Sequence, residues 1–349
     1  MNIVVDEKIP FLKDALVKMG HNVLSKPGVA IYASDVVNAD ALFVRTRTRC
    51  DASLLRGSRV RFIGTATIGY DHIDAGYCLR NGVQWTSAAG CNSGAVLQYV
   101  QSVIYTWAAE RKCSLFGLSL GVVGVGEIGS KVALWARSEG MEVLLNDPPR
   151  AAREGENGFV TLAEVAEKCD IITFHTTLDK SGDFPSYHLA DSGFFASLKR
   201  CKLLINASRG PVVDNRALLD ALENGSVKDA VLDVWEGEPD IDIALLNKVY
   251  MATPHIAGYS CEGKMNATRM VLEAFASFSG YKGNLPLPEL SLPEPDTVAA
   301  VSFADAALKI YSPHTDSMYL KKNPGEFENM RNNYSLRREP TSYKLHLEK

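Results

Sequence analysis

The chain has 349 residues, 46% of them hydrophobic, and a formal net charge of −4. That length holds two or more domains with their own cores, and the mild acidity gives no reason to expect nucleic acid or an anionic membrane as partner. No apolar run reaches the ~18 residues of a membrane span, and the seven cysteines form no C-x-x-C pair. The opening MNIVVDEKIP is acidic where a signal peptide would be basic. A cytoplasmic protein with reduced thiols, no disulfides and no metal is expected.

Residues 1–95 read as a small α/β unit. Strands are expected at 2–5, 41–45, 61–63 and 83–85, with helices at 11–19, stopped by Gly20, and at 71–79, closed by Asn81-Gly82. Two loops at strand ends carry polar groups: Arg45-Thr46-Arg47-Thr48-Arg49 and Gly64-Thr65-Ala66-Thr67. The alternating Arg and Thr suit a solvated edge strand and a phosphate or carboxylate surface equally well.

A long helix over 95–111 leads into residues 120–136, LGVVGVGEIGSKVALWA. This stretch reads as a buried strand, the turn Gly124-Val125-Gly126-Glu127-Ile128-Gly129, and a helix with Ile128, Val132 and Trp135 on its apolar face. A dinucleotide turn needs that order: one glycine for the tight bend, one for backbone approach to a pyrophosphate, one for close helix packing. The helix N-terminus then offers free N–H groups to the phosphates. A second strand at 141–145 ends at Asp147, near the ~20-residue distance at which an acid meets the ribose hydroxyls. That carboxylate repels a 2′-phosphate and favours NAD over NADP, while Arg150 and Arg153 lie close enough to keep the choice open.

Further along, Thr161-Leu162-Ala163-Glu164 has the form of a capping box. Strands at 171–175, 203–206 and 230–234 are hydrophobic throughout, as buried parallel strands are, and helices start near Asp191 and Asp214. Ligands of such doubly wound sheets sit beyond the carboxyl ends of the strands. The polar residues there are Thr176-Thr177, Ser208-Arg209-Gly210, Asp233 with Glu236 and Glu238, and His255. Residues 260–278 form an amphipathic helix ended by Gly280, and the proline-studded 284–296 suits an extended connector. The remaining ~55 residues are too few to stand alone comfortably and are expected to be a dimer-forming appendage.

An enzyme that oxidises an alcohol with a nicotinamide needs a base, a cation for the developing carbonyl or a carboxylate, and a group that tunes the base. His255, Arg209 and Glu238 are the candidates. Imidazole titrates near neutrality and a carboxylate partner fixes its tautomer. A guanidinium grips a carboxylate in bidentate fashion. Taken singly each has a plain alternative, as a core histidine, a surface charge or a residue before a proline. Their shared position at strand ends favours the functional reading.

These segments carry a resemblance. VVGVGEIG, NDPP, INASRGPVVD, LDVWEGEP and TPHIAGYS resemble the D-isomer-specific 2-hydroxyacid dehydrogenases. VDEKIPF, GTATIGYDHID, AAGCN, TFHTTL, HIAGYSCEGK and PGEFENMRNNYSLRRE are similar to the branch of that family that oxidises 4-phospho-D-erythronate on the route to pyridoxal phosphate. The resemblance implies an α/β fold in which a Rossmann-type doubly wound domain, 96–259, is inserted into a flavodoxin-like substrate domain, 1–95 with 260–283. It adds a linker and a small α+β dimerisation module at 284–349.

The resemblance further implies NAD as cofactor, a phosphorylated 2-hydroxy acid as substrate and a homodimer. By motif it makes Arg209, Glu238 and His255 catalytic. Gly124, Gly126, Glu127, Ile128, Gly129, Asp147, Thr176, Asp233 and Gly258 match cofactor-contacting positions. Thr46, Thr67 and Tyr259 match substrate-contacting ones. The tail is shorter than that branch's usual extension, and its Arg337-Arg338 pair is expected to reach the substrate phosphate.

Overall fold

The computed structural model describes residues 1–348. The chain folds as two compact units, Met1–Asn92 with Ser260–Leu292, and Ser93–Tyr259 with the segment from Pro293 onward.

The first unit is built on five parallel strands, β1 (Asn2–Asp6), β2 (Asn22–Lys26), β3 (Ala41–Val44), β4 (Phe62–Thr65) and β5 (Gln84–Ser87), in the order β2-β1-β3-β4-β5. That is the flavodoxin-like order. The helix Cys261–Ser279 covers one face and is bounded as its sequence suggests: Ser260 Oγ accepts from Gly263 N, and Gly280 ends it at φ 71°. Its Phe275 is fully buried among Phe43, Phe62 and Phe278, with ring centroids 5.4, 5.5 and 6.3 Å away. Burying one such ring contributes roughly 1.5–3 kcal/mol. This is how a helix more than 160 residues downstream of β5 belongs to the first core. The strand β2, not expected above, is an edge strand whose residues are half-buried or exposed.

The second unit holds six parallel strands, β6 (Ser119–Val123), β7 (Glu142–Asn146), β8 (Ile171–Phe174), β9 (Leu203–Asn206), β10 (Asp229–Leu232) and β11 (Met251–Ala252). Their order is β11-β10-β9-β8-β6-β7. β6, β8 and β9 are buried at every residue, as strands sandwiched between helix layers must be. Caps fall where the side chains dictate. Thr161 and Glu164 form the capping box, and Asp191 and Asp214 each accept a first-turn amide.

The tail folds onto this second unit. It pairs β12 (Thr297–Ala300) with β13 (Lys344–Leu347) in parallel and is otherwise mostly helical. Ala307 and Tyr311 enter the core on one face of the sheet, Leu320 and Phe327 that on the other. The two-residue β11 is completed by the tail, since Ser317 Oγ accepts from Ala252 N at 3.0 Å. All seven cysteines are free thiols, five of them buried. No helix among the described residues is long and apolar enough to cross a membrane.

Candidate active site

β6 and β8 are neighbours although β7 lies between them in sequence, so the sheet changes direction of growth at their carboxyl ends. The glycine turn sits at that point. Gly124 adopts φ 88°, and a Cβ there would lie 2.7 Å from the backbone of His175 and Thr176. A Cβ on Gly129 would lie 2.0 Å from Gly124 O, so only glycine lets the helix Glu127–Ser138 pack on the turn. A Cβ on Gly126 would meet nothing within 4 Å, which leaves that backbone face open to a ligand. Glu127 and Ile128 open the helix, whose first N–H groups have no intrahelical partner.

A cavity of about 1060 Å³ adjoins this turn, lined by Gly124, Gly126, Asp147, Arg153, Thr176 and Thr177 among others. Thr176 Oγ1 and His175 Nδ1 are buried without a hydrogen-bond partner. Burial pushes the His175 imidazole down to about 3, which leaves it neutral. An open glycine face, free helix amides and an orphaned hydroxyl on one cavity wall fit a dinucleotide. Asp147 shapes the same turn: its Oδ2 accepts from Val125 N at 2.8 Å and its Oδ1 from Arg150 N at 2.9 Å. The Arg150 guanidinium is turned back onto Val125 O and Glu154.

Arg209, Glu238 and His255 follow β9, β10 and β11, three successive neighbours in the sheet. Gly210 brings the first two loops together, because a Cβ there would lie 2.0 Å from Trp235 O. Arg209 itself is extended and half-buried. His255 Nδ1 lies 2.6 Å from Glu238 Oε1, and His255 Nε2 makes no hydrogen bond among the described residues. Burial pushes the Glu238 carboxyl up, but the hydrogen bond and charge of His255, with Arg331 beyond, bring it net below the usual carboxylate range.

His255 has φ 58°, a left-handed conformation that a non-glycine residue keeps only when its surroundings impose it, at a cost of order 1–3 kcal/mol. Asp233 is one such constraint. It is 1% exposed, its carbonyl accepts from His255 N, and its carboxylate accepts from Thr253 Oγ1, Ile256 N and Ala257 N at 2.7, 2.8 and 3.0 Å. Burial pushes that carboxyl up against the opposing effects of His255 and these hydrogen bonds. Anticipated as a cofactor contact, Asp233 has both oxygens engaged by the loop that carries His255. Gly258 and Tyr259 follow on that loop, both half-buried.

In the first unit, Thr46 and Thr67 lie beyond the carboxyl ends of adjacent strands β3 and β4. Thr46 is exposed, and Thr67 Oγ1 is hydrogen-bonded to Thr65 Oγ1 at 2.7 Å and to Gly69 O at 2.9 Å.

The expectation that Arg337 reaches a substrate phosphate is not met. Arg337 is 8% exposed, and its guanidinium donates to Gln98 Oε1, Ala95 O, Ile256 O and Ala257 O while lying 4.2 Å from the centre of the Tyr311 ring. The peptides at 256 and 257 are therefore held by an anion on their N–H side and a cation on their C=O side. Arg338 donates to Ser342 Oγ. Reasoning from sequence missed both this clamp and Arg331, whose Nη1 lies 3.7 Å from Glu238 Oε1. Neither has a local signal, since each partner is roughly 80–240 residues away.

Residues 95–257 match the family described as D-isomer specific 2-hydroxyacid dehydrogenase, NAD binding domain. The chain is 49% identical over 349 residues to the erythronate-4-phosphate dehydrogenase of Bacteroides fragilis strain YCH46, covering 99% of both. It is 41% identical over 353 residues to that of Escherichia coli, covering 98% of this chain and 93% of the relative. The structure of the D-lactate dehydrogenase of Aquifex aeolicus with NAD and lactic acid aligns with a TM-score of 0.62 at 25% identity, over 80% of this chain and 96% of that one. With relatives this similar over nearly its whole length, the chain belongs to the erythronate-4-phosphate dehydrogenase family, and its residues 95–257 carry the NAD binding domain described for D-isomer specific 2-hydroxyacid dehydrogenases.

Proposed function

We propose that this protein oxidises 4-phospho-D-erythronate to (3R)-3-hydroxy-2-oxo-4-phosphooxybutanoate, a step toward pyridoxal 5′-phosphate. NAD, bound at the glycine turn, supplies the acceptor for the hydride that leaves C2. The C2 hydroxyl proton goes to His255 Nε2, and in the reductive direction the same nitrogen returns it. Glu238 holds Nδ1, which fixes the tautomer and supports the imidazolium that forms. Arg209 grips the substrate carboxylate and orients C2. Thr46, Thr67 and Tyr259 touch the substrate, and Gly124, Gly126, Glu127, Ile128, Gly129, Asp147, Thr176, Asp233 and Gly258 surround the cofactor. The enzyme works in the cytoplasm as a homodimer joined through its C-terminal module, which sedimentation at several concentrations tests.

The observation that carries this reading is the 2.6 Å contact between His255 Nδ1 and Glu238, which leaves Nε2 for the substrate. NADH absorbance followed with 4-phosphoerythronate, glycerate and 3-phosphoglycerate tests it. A signal with the first alone supports the assignment. A signal with another acid instead moves it to a different 2-hydroxy acid, and none with any, despite NAD binding, makes the protein an NAD-sensing scaffold.

A further inference from the structure

The helix Phe327–Asn332 is anchored by Phe327, 1% exposed in the core, and it brings Arg331 to the catalytic turn. The side chains of Arg331 and Glu238 are 27% and 23% exposed, so this ion pair is partly shielded from water and salt. At 3.7 Å the guanidinium is too far for a hydrogen bond, and the carboxylate oxygen it faces, Oε1, is the one that His255 Nδ1 already holds at 2.6 Å. Among the described residues the other oxygen accepts only a long contact from Trp235 N, 3.4 Å. Thus one carboxylate oxygen serves a cation and an imidazole at once.

We propose that Arg331, a residue of the C-terminal segment, is a positioning residue for the oxidation: by sharing the Glu238 carboxylate with His255 it lowers the proton affinity of the pair, so that the pair is ready to take the substrate's proton at neutral pH. This rests on the proposed acid–base role of His255. The physical argument is electrostatic. A buried Glu–His pair alone favours the protonated imidazole, because the carboxylate stabilises the imidazolium. Oxidation needs the opposite state at the start of each turnover. A second cation on the same carboxylate competes with the imidazolium without moving Nδ1.

Several charged and titratable groups face the pair or the loop that carries His255. Glu238 faces His255 and Arg331, with the Trp235 amide. Arg331 also faces Tyr259 and Glu328. Behind His255 lies Asp233, whose carboxylate is held by Thr253 and the amides of 256 and 257, and on the tail side are Asp316, Tyr334 and Arg337, of which Asp316 is bonded to Tyr334. Asp233 and Arg337 carry opposite charges on the two sides of one loop. Arg331 is the cation paired directly with Glu238.

His255 and Glu238 share one short hydrogen bond, so the test reads the response of the two together. The variants are Arg331→Gln and Arg331→Lys in the full chain, with NAD affinity as the control for an intact fold. Arg331→Gln moves the acidic limb of kcat/KM for 4-phosphoerythronate upward by about 0.5–1 pH unit, and Arg331→Lys restores most of it, since the charge and not the fork is what acts. The limb moves equally with unphosphorylated erythronate. NMR titration of the His255 ring, assigned with His255→Gln, reads the same shift without turnover and so tests the inference even if the substrate assignment fails. A limb and ring titration unmoved in Arg331→Gln, no rescue by lysine, or a loss confined to KM for the phosphorylated acid overturns it; the last result would make Arg331 a phosphate ligand.

Discussion

The turn from Trp235 to Pro239 carries two glutamates, and each holds a histidine. Glu236 Oε1 lies 2.7 Å from His188 Nε2, and Glu238 Oε1 lies 2.6 Å from His255 Nδ1. Both histidines have positive φ, 50° and 58°. By pair geometry alone the two are near twins, and their surroundings tell them apart. His188 stacks on Tyr187 with ring centroids 4.0 Å apart, and its second nitrogen lies 3.5 Å from Asp214. Glu236 exchanges hydrogen bonds with Asn215: its carboxylate accepts from the Asn215 backbone N–H at 2.9 Å, and its own backbone N–H donates to the Asn215 side-chain oxygen at 3.1 Å. That pair stitches the start of the Asn215–Asn224 helix to the turn. His255 uses one nitrogen, keeps the other free among the described residues, shares its carboxylate with a cation, and rides on a loop held from both sides. A histidine–carboxylate contact is therefore no mark of catalysis by itself. On the proposed reading, the unused nitrogen and the charge behind the carboxylate set His255 apart.

Removing each ring in turn sharpens the contrast. His255→Asn lowers kcat by about 10²- to 10⁴-fold, the usual contribution of a general base, with NAD affinity kept. Gly129→Ala acts on the neighbouring cofactor turn: its Cβ must displace Gly124 O, so NAD affinity, read by fluorescence titration, falls at least about tenfold while the His255–Glu238 pair is untouched.

Arg337→Met probes the loop that carries His255 and not His188. It removes one donor each from the buried carbonyls of Ala95, Ile256 and Ala257, of which Ile256 O keeps Tyr259 N, and lowers stability by about 1–3 kcal/mol in urea unfolding. His188→Asn gives the smallest effect: about 1 kcal/mol of stability and kcat within about threefold of the parent. A large loss of kcat in His188→Asn would show that the His188–Glu236 pair also serves turnover.

The division between what the sequence discloses and what it hides follows the range of the interactions. The glycine turn, the capping box at Thr161, the caps at Asp191, Asp214 and Ser260, and the buried strands β8 and β9 are local. Each is decided by residues within a few positions, and each is legible. The carboxyl-end rule then nominates Arg209 and Glu238 because it needs only strand positions and parallel topology, whereas His255 follows a strand the sequence does not show and is nominated by its imidazole. Asp147 is legible as the acid after β7, but its capping of the turn is a matter of rotamer and stays hidden. β2 is hidden because an edge strand need not be apolar, and β11 because two residues show no period. The tail is the largest blind spot. An arginine that clamps a loop some 80 residues upstream reads as any surface arginine, so Arg337 reads in sequence as a candidate phosphate ligand.

The proposed oxidation requires above all that His255 be the group that exchanges the substrate's proton. The direct test is the pH dependence of kcat/KM for oxidation of 4-phosphoerythronate in the parent and in His255→Asn. The parent is predicted to rise along an acidic limb as the Glu238–His255 pair gives up its proton, and the variant's residual rate to lose that limb. The same limb persisting in His255→Asn would contradict the account, because another group would then be titrating.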